Sequence, residues 1–343
     1  ATGLPTAPSG SPFTDANGIG SFYYSPPTGA LALCTANIQS SLAIDPATDD
    51  LPEDYFKGVT YTGNVPANNT TVSQNIDLGI LADLIWIKDR NSGTNQNHGL
   101  FDSVRGFDKW VGSNTTSAQD ATANAYLSYV SGTTYNIGWS PSINSDTHKK
   151  IAWCWKAGGS PSGSNIYMKD GTGYTNSTSD KATVFGSASN YTITPTSASI
   201  GTKQGFSIIK YTGTGSAASV PHGLNSAPEF VIIKHLTGSN DWMIYHKSLT
   251  SGKNLNLNTT DAEFSVSAGA ITASSASAIS IGTSVAVNDN SSDNYIMYAF
   301  TSIEGYSKCG SYVGNGSTDG PFVECGFRPA FVICKVYNYT SSY

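Results

Sequence analysis

Phe230-Val231-Ile232-Ile233-Lys234 decides the fold. Four consecutive apolar residues, three of them β-branched, do not alternate as a half-exposed strand would; they fit a strand covered on both faces. Two sheets packed face to face supply such a place. Burying the four side chains at ~1.5–3 kcal/mol each gives roughly 6–12 kcal/mol before entropy is subtracted. That is comparable to the net stability of a whole domain.

The same signal occurs twice more, in Leu84-Ile85-Trp86-Ile87-Lys88 and Phe331-Val332-Ile333-Cys334-Lys335. Each run follows a strand that enters a Gly turn: Val59-Thr60-Tyr61-Thr62-Gly63, Ile209-Lys210-Tyr211-Thr212-Gly213 and Gly310-Ser311-Tyr312-Val313-Gly314. The Tyr-to-Lys intervals are 88 − 61 = 27, 234 − 211 = 23 and 335 − 312 = 23 residues. Aromatic strands beginning at Ile151 and Ile296 keep the register, 151 − 88 = 63 and 296 − 234 = 62 residues after their lysines. One residue of slip in about sixty marks a repeat, which has to be found before any motif is weighed.

The repeat divides the chain into a module at 58–159, a second at 205–309 and the start of a third at 310–343, interrupted at Tyr343. Residues 160–204, rich in Ser, Thr and Gly with strand-like islands at 165–169 and 191–194, read as an insert or linker hairpin. Residues 41–57, with Pro46, Pro52 and the acidic group Asp49, Asp50, Glu53 and Asp54, read as a linker. The opening Ala1-Thr2-Gly3-Leu4-Pro5 has no leader-like pattern and reads as an interior cut. The expected fold is all-β, tandem antiparallel β-sandwich modules with little helix. The helix candidate is 117–129, where Ser117 and Asp120 have capping-box spacing.

Composition excludes several classes. The chain has 343 residues, of which 12% are charged, with a formal net charge of −6; soluble domains average roughly 25% charged. The longest basic run is Lys149-Lys150, too little for nucleic acid. No apolar stretch approaches the roughly 18 residues of a membrane-spanning helix. Five widely spaced cysteines without a CxxC are not a disulfide framework and read as buried thiols, although a Cys309–Cys325 bridge stays open.

Against this background a resemblance emerges. The series Leu84-Ile85-Trp86-Ile87-Lys88-Asp89-Arg90, Asn97-His98-Gly99-Leu100-Phe101-Asp102-Ser103-Val104-Arg105-Gly106 and Ala152-Trp153-Cys154-Trp155-Lys156-Ala157-Gly158-Gly159 resembles the tandem modules of tail-fibre and related virion structural proteins of marine tailed phages. Gly205-Phe206-Ser207-Ile208-Ile209-Lys210-Tyr211, Trp242-Met243-Ile244-Tyr245-His246 and Gly320-Pro321-Phe322-Val323-Glu324-Cys325 continue the likeness. Phe22-Tyr23-Tyr24-Ser25-Pro26-Pro27 through Cys34 is similar to the closing strand of a SPRY- or lectin-like sandwich, which makes 1–40 the end of a preceding domain. The resemblance implies jelly-roll or concanavalin-like sandwiches, a virion-surface location, host attachment through a surface glycan or protein, contacts with other virion proteins and a homo-oligomer, commonly a trimer. A secreted bacterial surface or filament protein with a purely structural role is the alternative.

No catalytic constellation is present. His98, His148, His222, His235 and His246 show no metal-binding spacing, and His98 and His246 read as comparable places in the two modules, marking packing. The oxygen-rich 288–294 lacks the Gly and Glu of an EF-hand loop and reads as a solvated turn. No Gly-x-Ser-x-Gly elbow occurs. The chain is therefore not expected to be an enzyme or to hold a cofactor or metal. Trp86, Trp153, Trp155 and Trp242 lie in apolar strands and read as core. Tyr126, Tyr129, Tyr135 and Trp139, in a polar stretch of the first module, are the candidate contact residues, because aromatic rings offer flat faces to sugars and anchors to proteins.

Overall fold

The computed structural model describes residues 13–30, 32, 43–91 and 96–340. Two short 3-10 turns, Pro46–Thr48 and Pro52–Asp54, lead into β1 (Phe56–Thr62), β2 (Gln74–Asp77), β3 (Leu84–Asp89), β4 (Gly99–Asp102), β5 (Val111–Gly112), β6 (Leu127–Ser131), β7 (Thr134–Ile137), α1 (Pro141–Asn144) and β8 (Lys149–Trp155). Next come β9 (Tyr167–Lys169), β10 (Thr172–Tyr174), α2 (Thr178–Phe185) and β11 (Ser197–Gly201). The series then repeats as β12 (Phe206–Thr212), β13 (Ala218–Pro221), β14 (Phe230–His235), β15 (Met243–His246), β16 (Lys253–Asn256), β17 (Phe264–Ser265), β18 (Ile271–Ser274), β19 (Ala278–Ile281), α3 (Val285–Asn288) and β20 (Asn294–Phe300).

The protein is all-β, and its two halves share one strand order. A large sheet runs β1-β8-β3-β4-β5 in the first and β12-β20-β14-β15-β16 in the second; a small sheet runs β2-β7-β6 and β13-β19-β18. Pairing keeps register as well: Lys88 faces Ile151, and Lys234 faces Ile296. Each small sheet covers one face of its large sheet. Ile85, Ile87, Phe101, Ala152 and Cys154 meet Leu127, Tyr135 and Ile137 in the first sandwich. Tyr211, Val231, Ile233 and Met297 meet Val220, Ile271, Ile279 and Ile281 in the second.

Two polar anchors recur inside these cores. The Tyr61 hydroxyl donates to the Ile143 carbonyl at 2.6 Å, and Tyr211 to Val287 at 2.7 Å. Asn144 Nδ2 donates to the Gly138 carbonyl and its Oδ1 accepts from Asn64 N; Asn288 does the same with Gly282 and Thr214. Satisfying these buried groups fixes the one-turn helix against the turn after the first strand.

A third apolar cluster joins the halves. Leu84, Leu100, Val104 and Val111 of the first sandwich pack on Phe206, Ile208, Ile232, Ile244, Ile296 and Tyr298, the outer face of the second large sheet. That sheet is thus covered on both faces, as the apolar run at 230–233 requires, although Phe230 itself is half-buried.

Several expectations are corrected. Residues 117–129 form no helix: the chain is extended to the Trp110–Asp120 bridge and enters β6 at Leu127. Asp120 accepts from Thr122 N and the Tyr126 hydroxyl instead of capping a helix. The 160–204 segment does carry a hairpin, β9–β10, with the expected strand at 165–169 found as Tyr167–Lys169, but it is no linker, because β10, β9 and β11 extend the second large sheet beyond β12 to nine strands, and Tyr167, Val184, Phe185, Ile193 and Ile200 enter its core. Residues 191–194 are not a strand; β11 begins at Ser197. Residues 310–340 carry no strand, and their Phe331 ring lies against the first sandwich. Of the 1–40 segment, the described part shows a Phe13–Phe22 bridge and turns around Asp15, with no strand; Leu31, Leu33 and Cys34 lie outside the described residues. Cys309 and Cys325 are free thiols, so the bridge left open is not formed, and burial pushes the Cys309 thiol up to about 11.

Candidate functional site

Side chains alternate across a strand, so β3 and β8 divide between two faces. Ile85, Ile87, Ala152 and Cys154 enter the first core. Trp86, Lys88, Ile151, Trp153 and Trp155 fall on the other face and are half-buried. Three tryptophans read as core therefore line a surface, while Trp242 is fully buried. Trp86 pairs with Trp153 across the strands, rings 5.8 Å apart and edge-on, and Phe56 pairs with Trp155 at 5.0 Å. Phe331 sits over them, 5.4 Å from Trp153 and 5.2 Å from Trp155. Such edge-to-face pairs contribute ≈ 0.5–1.5 kcal/mol beyond area burial.

Beside Phe331 is a cleft of about 380 Å³ between Trp86, Lys88, His98 and Trp153 on one side and 330–333 on the other. Lys88 Nζ lies 2.6 Å from His98 Nε2. An ammonium only donates, so Nε2 accepts and the ring proton belongs on Nδ1. Burial, then the Lys88 charge, hold the imidazole below its usual range. The Trp86 indole N–H is buried without an acceptor among the described residues. A lysine, a neutral histidine and edge-on indoles offer apolar contact and hydrogen-bond donation, and among the described residues no carboxylate lines the cleft.

In the second sandwich the same register carries other residues under full cover. Trp86 corresponds to Ile232, Trp153 to Tyr298, Ile151 to Ile296 and Lys88 to Lys234, all buried. His98 corresponds to Trp242, since Gly99 and Met243 hold equivalent pairing positions; His246 is the counterpart of Asp102, which corrects the equation of His98 with His246. Lys234 Nζ donates to the carbonyls of Thr116 at 2.9 Å and Asn240 at 2.8 Å, and burial pulls its ammonium down to about 8. Trp242 Nε1 donates to the Gly112 carbonyl at 2.8 Å. Asp102 Oδ2 receives Arg105 Nε at 2.6 Å and the Tyr298 hydroxyl at 2.7 Å, a fully buried bridge across the joint.

The four candidate contact residues do not form one surface. Tyr135 is fully buried, its hydroxyl bridging Ala82 N and O at 3.0 Å each; β7 turns it into the core, which corrects its assignment. Tyr126 is half-buried, stacked on Trp110 at 6.2 Å and donating to Asp120 at 2.5 Å. Trp139 is half-buried, its backbone N–H on the Asn124 carbonyl. Tyr129 is 52% exposed beside Val130, edge-on to Tyr135. The residues that share an open face, Trp86, Lys88, His98 and Trp153, were signalled only by tryptophans at i and i+2 in 153–155 and by the bulky Trp86 in register with Trp153.

The profile of one protein family, a domain of unknown function (DUF7483), matches the chain twice, over residues 51–203 and 179–343. The chain belongs to that family. Comparison with curated proteins and with solved structures found no match.

Proposed function

We propose that this DUF7483 chain is a tail-fibre-like structural protein of a phage virion surface, in which tandem sandwiches give an elongated scaffold and exposed aromatic residues contact a host-surface glycan or protein. The observation that carries the scaffold is the joint: the loop at 112–119 of one sandwich covers the outer sheet face of the next through Trp242, Lys234 and Leu236. Modules that bury a face against a neighbour suit a fibre. Virion placement, self-association into a homo-oligomer and contacts with other virion proteins follow from the tail-fibre resemblance, and the low charge suits an exterior role. The exposed Tyr129 ring is the contact surface on this reading; neither catalysis nor a cofactor enters it.

Antibodies raised against the chain and imaged with gold on particles and cells from its source test the placement. Gold along fibres of phage particles is expected. Gold confined to bacterial filaments would overturn it in favour of a secreted surface protein with a structural role, which shares the joint and lacks the attachment step.

A further inference from the structure

The contact between successive units is made twice. At the first joint, Gln119 N donates to the Leu236 carbonyl at 2.8 Å, and Lys234 Nζ to Thr116 O at 2.9 Å. At the second, Glu263 N donates to the Tyr337 carbonyl at 2.7 Å, and Lys335 Nζ to Thr259 O at 2.5 Å. Gln119 and Glu263 are counterparts by register, each preceding the residue that pairs with Trp110 or Asn254. Leu236 and Tyr337 both lie two residues after the joint lysine. So the same amide meets the same carbonyl, even though 310–340 has no strand.

The first sandwich carries the acceptor half of this joint. Its lysine is Lys88, and Arg90 stands two residues on. Arg90 N donates to Lys149 O as Leu236 N does to Asn294 O, so the two strands leave their sheets by the same hydrogen bond. Beside them lies the half-buried Trp86–Trp153 face, whose Trp86 indole N–H has no acceptor among the described residues. We propose that this face docks the loop at 257–263 of a second copy of the chain, Glu263 N–H meeting Arg90 O and Thr259 O meeting Lys88 Nζ. Residues 330–337 occupy both halves of that contact: Phe331 covers the face, while Lys335 and Tyr337 hold the loop. Docking displaces this strap and so exposes donor and acceptor together. The proposal rests on the scaffold reading but not on the virion assignment.

Sedimentation velocity on the full chain and on the triple variant Phe331→Ser, Lys335→Ala, Tyr337→Ala tests it, with circular dichroism melts to verify folding and the single Lys335→Ala variant as a milder release. The released chains are expected to self-associate on the order of tenfold more tightly than the parent, and Lys88→Glu to reverse this by a similar factor. Hydrogen exchange should slow at 84–90 and 257–263 in the associated form. Monomers throughout, association indifferent to Lys88→Glu, or protection elsewhere overturns the docking face. Particle labelling, which decides the virion reading, is untouched by any of these results.

Discussion

The two large sheets share strand order and register, yet one has its outer face sealed and the other does not. Ile232, Ile296, Tyr298, Lys234 and Trp242 lie beneath the 102–119 segment of the first sandwich; Trp86, Ile151, Trp153, Lys88 and His98, at equivalent positions, lie half-buried beneath a strap of irregular chain. Covered positions carry residues with few spare polar atoms or with hydrogen-bonded ones. Open positions carry indoles and imidazole, whose apolar bodies tolerate partial wetting. The lesson is that a neighbour, not the sandwich itself, decides what a face must be.

The sharpest way to break that comparison is at its buried ion pair. Arg105→Met leaves the Asp102 carboxylate inside the joint without its cation, and should lower stability by about 3–5 kcal/mol; a urea titration of the whole chain with an unshifted midpoint would show the joint to be idle. Equivalent positions come next. Trp242→Ala opens a cavity and removes the indole's bonds to the Gly112 and Thr115 carbonyls, an expected loss of about 3–5 kcal/mol, whereas His98→Ala should cost less than about 1 kcal/mol. Equal losses in thermal melts would mean that the two faces are equally built in.

Acid sharpens the contrast between the cores. His222 takes the register position of Leu78, one residue beyond the β13 or β2 strand, and both are buried. Its Nδ1 accepts from Leu224 N and its Nε2 donates to the Ser275 carbonyl, both at 3.1 Å, which suits only the neutral ring. Burial pulls it from 6.5 to about 4. A folded-state value below the unfolded one means that the unfolded chain binds more protons in that window. Stability is therefore whole above 6.5, declines as pH falls from 6.5 towards about 4, and levels off below that, a loss on the order of 3 kcal/mol. His222→Leu should level that acid flank; a flank that persists in the variant assigns the loss to other groups. The smallest effect belongs to Tyr129→Ala, which should move the melting temperature imperceptibly, within about 0.5 kcal/mol, and weaken host-cell binding in a pull-down if the exposed ring is a contact.

Strands at 84–88 and 230–234 were legible because apolar runs bounded by Gly and Pro leave few other structures. The open face was not, since a run apolar on both sides reads as core on both, and nothing local says whether a second sheet arrives. The joint was hidden for another reason: its recurring contact is a backbone amide on a backbone carbonyl, Gln119 to Leu236 and Glu263 to Tyr337, which leaves no side-chain signature. At 160–204 small polar residues masked an alternation in which Ala198 and Ile200 enter the core while Ser197 stays half-exposed and bonds the Ile166 carbonyl. At 331–335 the strand signal was sound chemistry without a partner, because a strand needs a neighbour to receive its amides. Alanine-rich 117–129 yielded to Asp120, whose carboxylate does more for Thr122 and Tyr126 than for a helix start.

The joint built from a loop on one side and a sheet face on the other has a direction. Because the two surfaces are unlike, the contact is head-to-tail: it closes into a ring of two or more copies where the rotation between them allows, and otherwise runs on with an unoccupied face at one tip and an unoccupied loop at the other. An open stack would need two different terminators, and the strap that holds Trp153 and Thr259 at once covers both kinds of surface with one stretch of chain.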